Sequence, residues 1–377
     1  MINTAAQIER LRHQLSARNI DAGTLRAALA ARVSATEAME SEAAEALASV
    51  NDGNLSQDSL AGFEADDVGY ISRPKGMDRL HKRGVDGEGV TVAVVDSGVA
   101  PHADFGDRIK AFKDFGSRRR IPHDPKGHGT HVAGIILGDG EKVDGVAPKA
   151  DLVACRITSE KEAVKAVDWV IANKDKYSID VLNLSLGMPA NSDASKDELR
   201  LAAERAVAAG LVVVASAGNE SRGGIHPSTI ASPGISPDVI TVGVIDDGGT
   251  ASHKDDKIWE KSSQGALLGG KPDLIAEGTS VVSVLAPDSA YSNQLEGHAD
   301  YLSISGSSQA APMVSGAAAL LLQVNPALTH ADIKHILTET AVPMDGVRAN
   351  TQGAGRLNLE AAVKAAEAQG KKQRKAS

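Results

Sequence analysis

The chain carries one cysteine in 377 residues, Cys155. A lone thiol excludes an intrachain disulfide, so no covalent framework stabilises this fold. Aromatic residues amount to 3%, and the core must therefore be assembled from Ala, Val, Leu and Ile. No run comes near the ~18 uninterrupted apolar residues of a membrane-spanning helix, which argues against a membrane span. Positive charge is in deficit: 40 Lys and Arg against 49 Asp and Glu give a formal net charge of −9. That balance argues against a nucleic-acid partner. The basic end "GKKQRKAS" reads as a solvated tail. The opening "MINTAAQIERLRHQLSARN" is amphipathic and lacks the apolar region of a secretory signal. The expected location is the cytoplasm, with export by a route that needs no cleavable signal as the exception.

What is present is ordinary for a globular protein: 42% apolar and 24% charged residues. The length suits one large domain and a smaller one. Residues 1–50 are rich in Ala, Glu and Arg, with Ile8, Leu11 and Leu15, then Leu25, Leu29 and Val33, at helical spacing. They predict a helical N-terminal segment. Residues 51–75 are polar, acidic and glycine-containing, and read as a linker. From residue 76 to 377 the pattern alternates. The runs "VTVAVV", "LVACRI", "DVLNLSL", "LVVVASA" and "VITVGV" are separated by helical stretches such as "EKEAVKAVDWVIANK". Strands apolar throughout and joined by helices predict an α/β domain, a mostly parallel central sheet between two helical layers. Such sheets carry their sites beyond the carboxyl ends of the strands.

Four polar groups fall at such ends. Asp96 follows the strand "VTVAVV"; buried there, its carboxylate needs a donor. His128 opens a helix between two glycines in "GHGTHVAG", where a substrate backbone can approach closely. Asn219 ends "LVVVASAGN". Ser308 lies at the start of a helix, where main-chain N–H groups favour negative charge. Each has an ordinary structural explanation on its own, as an Asx-turn, a cap or a turn residue. The pair His128 and His131 has metal-like spacing, but no HExxH accompanies it, and zinc is set aside.

The ordered motifs "VAVVDSGV", "GHGTHVAG", "LNLSLG", "SAGNES" and "SGSSQAAPMVSG" resemble those of the subtilisin-like serine proteases, the subtilases, over residues 86–365. The resemblance implies a serine endopeptidase acting on protein or peptide substrates through an acyl-enzyme. Ser308 would be the nucleophile, His128 the general base, Asp96 the group orienting it and Asn219 the oxyanion donor. Ser185, Leu186 and Gly187 would pair with an extended substrate, and Gly218 with Gly187 would edge its primary specificity pocket. No cofactor is required for this chemistry. A structural calcium ion is a further implication, with Asp104 as one ligand and Asp139, Glu141 and Asp144 as donors in the loop after the His128 helix. Ser307 stands where the family usually has Thr, Gln309 where Met is common and Glu277 where Pro is usual. The N-terminal helices lack the strand-rich pattern of the family's propeptide. They read either as a removable segment or as a docking module for a partner. The alternative to an enzyme is a subtilase fold kept as a binding scaffold, in which catalysis is dispensable.

Overall fold

The apolar runs become the middle of a sheet. In a strand, successive side chains point to opposite faces, so runs such as Val92–Val95, Leu152–Cys155 and Val212–Ala215 can be buried throughout only when both faces are covered. A computed structural model describes residues 61–63 and 72–376, apart from 118, 141–142, 192, 222–227, 251, 267–269 and 296–298. The chain divides into two units, Met1–Ala48 and Ser49–Ser377, and every described residue belongs to the second. The helical segment expected over residues 1–50 lies outside the described residues.

The strands are β1 (Ala61–Phe63), β2 (Thr91–Asp96), β3 (Ile109–Asp114), β4 (Asp151–Arg156), β5 (Ile179–Leu184), β6 (Val212–Ser216), β7 (Ile240–Asp246), β8 (Lys257–Ile258), β9 (Leu274–Glu277), β10 (Val281–Val284) and β11 (Tyr301–Ile304). The helices are α1 (Met77–His81), α2 (His128–Leu137), α3 (Glu160–Tyr177), α4 (Glu198–Ala208), α5 (Ser307–Val324), α6 (His330–Glu339), α7 (Ala349–Gln352) and α8 (Leu359–Ala376). The main sheet runs β3-β4-β2-β5-β6-β7-β8, with β9 also paired to β7. All these pairings are parallel except that of β7 with β8. Strand β3, "IKAFKD", interrupts its apolar residues with the exposed Lys110 and Lys113. It escapes a search for apolar runs because it is half exposed.

Helix α5 is buried from Ser307 to Leu322 and packs over β5, β6, β7 and β9. Its small residues, "SGAAA", let it lie close: a Cβ on Gly316 would meet Val146 at 2.5 Å. With α2 it forms one helical layer, while α3 and α4 pack together and against β5 and β6 respectively. The segment expected to be a linker, 51–75, departs from that reading. Ala61–Phe63 form a strand antiparallel to β11, with Ala61 opposite Ser303 and Phe63 opposite Tyr301. The β10–β11 hairpin has an open edge of main-chain donors and acceptors, and an extended segment of almost any composition can pair with one. Composition therefore does not reveal it. Among the described residues no helix is long and apolar enough to cross a membrane.

Candidate active site

Strands β2, β5 and β6 run parallel, so their carboxyl ends form one rim, and the N-termini of α2 and α5 meet it. Asp96 is the last residue of β2 and His128 the first of α2. Two glycines permit their approach. Gly98 has φ +129, and a Cβ there would stand 2.2 Å from the His123 carbonyl oxygen; a Cβ on Gly129 would stand 2.1 Å from the Gly98 oxygen. Asp96 and His128 are both buried. The Asp96 Oδ1 accepts from His128 Nδ1 at 2.7 Å and from the Ser97 N–H at 2.7 Å. An Nδ1–H donated to a carboxylate leaves Nε2 as the basic nitrogen of the neutral ring.

Ser308 is the second residue of α5. Its Oγ donates to the Ser185 carbonyl at 3.1 Å, and in this arrangement the hydroxyl rests on that oxygen rather than on the imidazole. The helix around it has a specific local cause. Pro312 has no N–H, so the carbonyl four residues earlier, that of Ser308, lacks its helical donor. The Ser185 hydroxyl supplies one at 3.0 Å. Ser185 Oγ in turn accepts from Asn183 Nδ2 at 2.9 Å, and Asn183 Oδ1 accepts from Ser315 Oγ at 2.8 Å. A relay of hydroxyl and amide groups thus ties the end of β5 to α5. Asn183 was not among the expected site residues. Its signal was a fully buried carboxamide inside the apolar run "DVLNLSL", a group that must find partners.

Asn219 follows β6. Its Oδ1 accepts from the Ser307 N–H at 2.9 Å, which turns Nδ2 away from that contact. Nδ2 lies beside Gly306, 3.3 Å from the point a Cβ would occupy there. Ser307 keeps the hydroxyl of the usual Thr, and its Oγ accepts from the Gly218 N–H at 3.0 Å. Gly218 has φ +105, and a Cβ on it would stand 2.9 Å from Ser263 Oγ and 3.3 Å from Ala231. The segment Ser185–Met188 continues β5: the Leu186 carbonyl accepts from Ser216 Oγ, and Met188 exchanges main-chain bonds with Ser232. Gly187 lies between these anchors.

His131 stands one turn beyond His128 and is fully buried. Burial pushes it down to about 3, so it is neutral. Its Nε2 faces the Val281 and Leu302 carbonyls at 3.1 and 2.9 Å, and as donor it pins α2 to the β10–β11 hairpin. Asp104 belongs to a separate cluster. Its carboxylate accepts from the Tyr301 hydroxyl, at 3.1 Å to the nearer oxygen, and lies 3.2 Å from His102 Nδ1. Main-chain oxygens nearby are taken by the Arg108 guanidinium, that of Leu137 at 2.6 Å and those of Ala150 and Asp104 as well. Asp139 pairs with Lys149, and Glu141 lies outside the described residues. A cation already sits among the carbonyls, and among the described residues no three or more His, Cys, Asp or Glu side chains converge as metal ligands. Asp104 and Asp139 thus each have a protein partner.

A parallel sheet with an acid, an imidazole, a hydroxyl and a carboxamide at one rim defines a class, and comparison with known proteins agrees. The model of the subtilase family matches residues 87–361. The chain is 38% identical over 298 residues to serine protease AprX of Bacillus subtilis (strain 168), covering 74% of this chain and 66% of AprX. It is 32% identical over 320 residues to subtilisin NAT of Bacillus subtilis subsp. natto, covering 82% and 74%. Among solved structures it resembles fervidolysin of Fervidobacterium pennivorans, with a TM-score of 0.62, 26% identity, and 80% and 45% of the two chains covered. The S41 psychrophilic protease also gives a TM-score of 0.62, at 25% identity. The chain belongs to the subtilase family of subtilisin-like serine proteases. It spans 66% of AprX and less than half of fervidolysin.

Proposed function

We propose that this chain is a serine endopeptidase working through Asp96, His128 and Ser308. The observation that carries the reading is the 2.7 Å contact of Asp96 with His128 Nδ1, at the rim where α5 presents Ser308. In the reaction the Ser308 hydroxyl leaves the Ser185 carbonyl, turns toward the imidazole and attacks a peptide carbonyl. His128 Nε2 takes its proton and returns it to the departing amine. The carbonyl oxygen, now an oxyanion, accepts from Asn219 Nδ2 and from the Ser308 N–H at the head of α5. Water, activated by the same imidazole, then releases the acyl group and regenerates the hydroxyl. Asp96 holds and stabilises the imidazolium. An extended peptide would run along Ser185, Leu186 and Gly187 by added strand pairing, its side chain at the cleaved bond entering between Gly187 and Gly218.

Casein hydrolysis by wild type and Ser308→Ala tests this. Cleavage by the first and none by the second is expected; a folded wild type without cleavage contradicts it. N-terminal sequencing of the same two preparations addresses residues 1–50. A shortened wild type beside an intact Ser308→Ala marks a segment removed by the enzyme itself, and two intact chains favour a docking module for a partner.

A further inference from the structure

A second carboxylate stands behind the first. Asp124 lies four residues before His128, and it is 3% exposed with neutral donors on every side. Its Oδ1 accepts from Ser97 Oγ at 2.8 Å, the Gly127 N–H at 2.9 Å and, more weakly, the Lys126 N–H at 3.3 Å. Its Oδ2 accepts from both the N–H and the hydroxyl of Thr130, each at 2.8 Å. The bonds close a circuit. Ser97, adjacent to Asp96, donates to Asp124 and accepts from the Gly129 N–H at 3.0 Å. Thr130 accepts from the Ala100 N–H at 2.9 Å. Asp124 thereby joins the loop that follows Asp96 to the turn that begins with His128.

The circuit demands a carboxylate. Both oxygens face donors only, so an amide in this place sets its NH₂ against at least one N–H or O–H. We propose that Asp124 is a positioning residue for the imidazole: through Ser97 and Thr130 it fixes the separation and tilt of Asp96 and His128. This rests on the endopeptidase reading for its kinetic consequence, but not for its geometric one. Misplacing a catalytic group by about 1 Å can cost on the order of 10²-fold in rate, and the hydrogen-bond partners that orient metal ligands, an analogous supporting role, are typically worth about 10–100-fold.

The experiment compares Asp124→Asn, Ser97→Ala and the double variant with wild type, each shown to be folded by circular dichroism. Asp124→Asn is expected to lower kcat about 10–100-fold while KM stays within about twofold. Because both residues act on one contact, the double variant should be little worse than Asp124→Asn alone. An unchanged kcat, or losses that multiply, overturns the proposal. The second readout is the downfield proton resonance of His128 Nδ1–H, which reports the Asp96 contact without any turnover. It should shift or broaden in Asp124→Asn, and an unaltered resonance overturns the proposal even in a preparation that cleaves nothing. Ser97→Ala, which removes one link while leaving every carboxylate, guards against an Asp124 variant that does not fold. By itself it should give a smaller kcat loss and a smaller shift of the same resonance; a normal kcat with an unshifted resonance overturns the proposal.

Discussion

Two carboxylates, Asp96 and Glu277, end strands of the same sheet and are both buried, yet their surroundings differ. Asp96 ends β2, and its Oδ1 takes both an imidazole N–H and a main-chain N–H, each at 2.7 Å, while its Oδ2 has no partner among the described residues. Glu277 ends β9 with its Oε2 unpaired among the described residues. The Arg356 guanidinium, which acts on it electrostatically, is engaged by Asp256. Burial, reinforced by Asp247 and relieved only partly by its own N–H and by Arg356, pushes Glu277 up to about 7. The difference teaches that position at the rim is not enough. A carboxylate becomes part of a site where donors are arranged for its charged form; without them burial favours the neutral acid.

The sharpest way to break the comparison is to remove what Asp96 serves. Ser308→Ala and His128→Ala should each lower kcat by about 10⁵–10⁶-fold, and Asp96→Asn by about 10⁴-fold, measured on a peptide anilide. Comparable small losses from all three would dissolve the site. Asn219→Ala should cost about 10²–10³-fold in kcat with KM nearly unchanged. A loss seen in KM alone would assign Asn219 to substrate binding instead.

Glu277 carries the opposite expectation, a gain. Its folded-state value lies above the ordinary carboxylate value of 4.5. The folded form therefore holds its proton while the unfolded chain has lost it. Stability from this group is complete below about pH 4.5 and is lost progressively as pH rises toward 7, by about 3 kcal/mol in all. Glu277→Gln mimics the protonated acid. In urea unfolding it should match wild type at pH 4.5 and exceed it at pH 8, and equal stability at both would show that the carboxylate finds a donor. The smallest effect concerns Cys155, whose thiol burial pushes above its usual range. A thiol reagent such as DTNB should leave the native protein unlabelled at pH 8 and modify it only after denaturation.

The same contrast explains what could be read from the sequence. Asp96, His128, Asn219 and Ser308 were legible because each sits where a strand or helix begins or ends, and such ends leave marks: a β-branched run that stops, glycines around a histidine, serines before a small-residue helix. The central strands, apolar runs joined by helices, were legible for the same reason, but their order in the sheet was not. Asp124, Asn183 and Arg108 were not singled out. Their work is done through contacts with Ser97, Ser185 and the Leu137 carbonyl, partners distant along the chain, and no local period records such pairings. Glu277 was noticed as a departure from Pro, but its burial follows from the packing of β9 beside β7, which the residue itself does not announce. Strand β1 was missed because main-chain pairing asks little of side chains.

The central claim is that Asp96, His128 and Ser308 act as one unit. Its most direct measurement is labelling of the folded wild-type chain with a fluorophosphonate, followed by peptide mass spectrometry. The account predicts a single adduct on Ser308, abolished by heat denaturation and reduced to background in His128→Ala. No adduct on the native protein, or one that persists in His128→Ala at the wild-type rate, would contradict it.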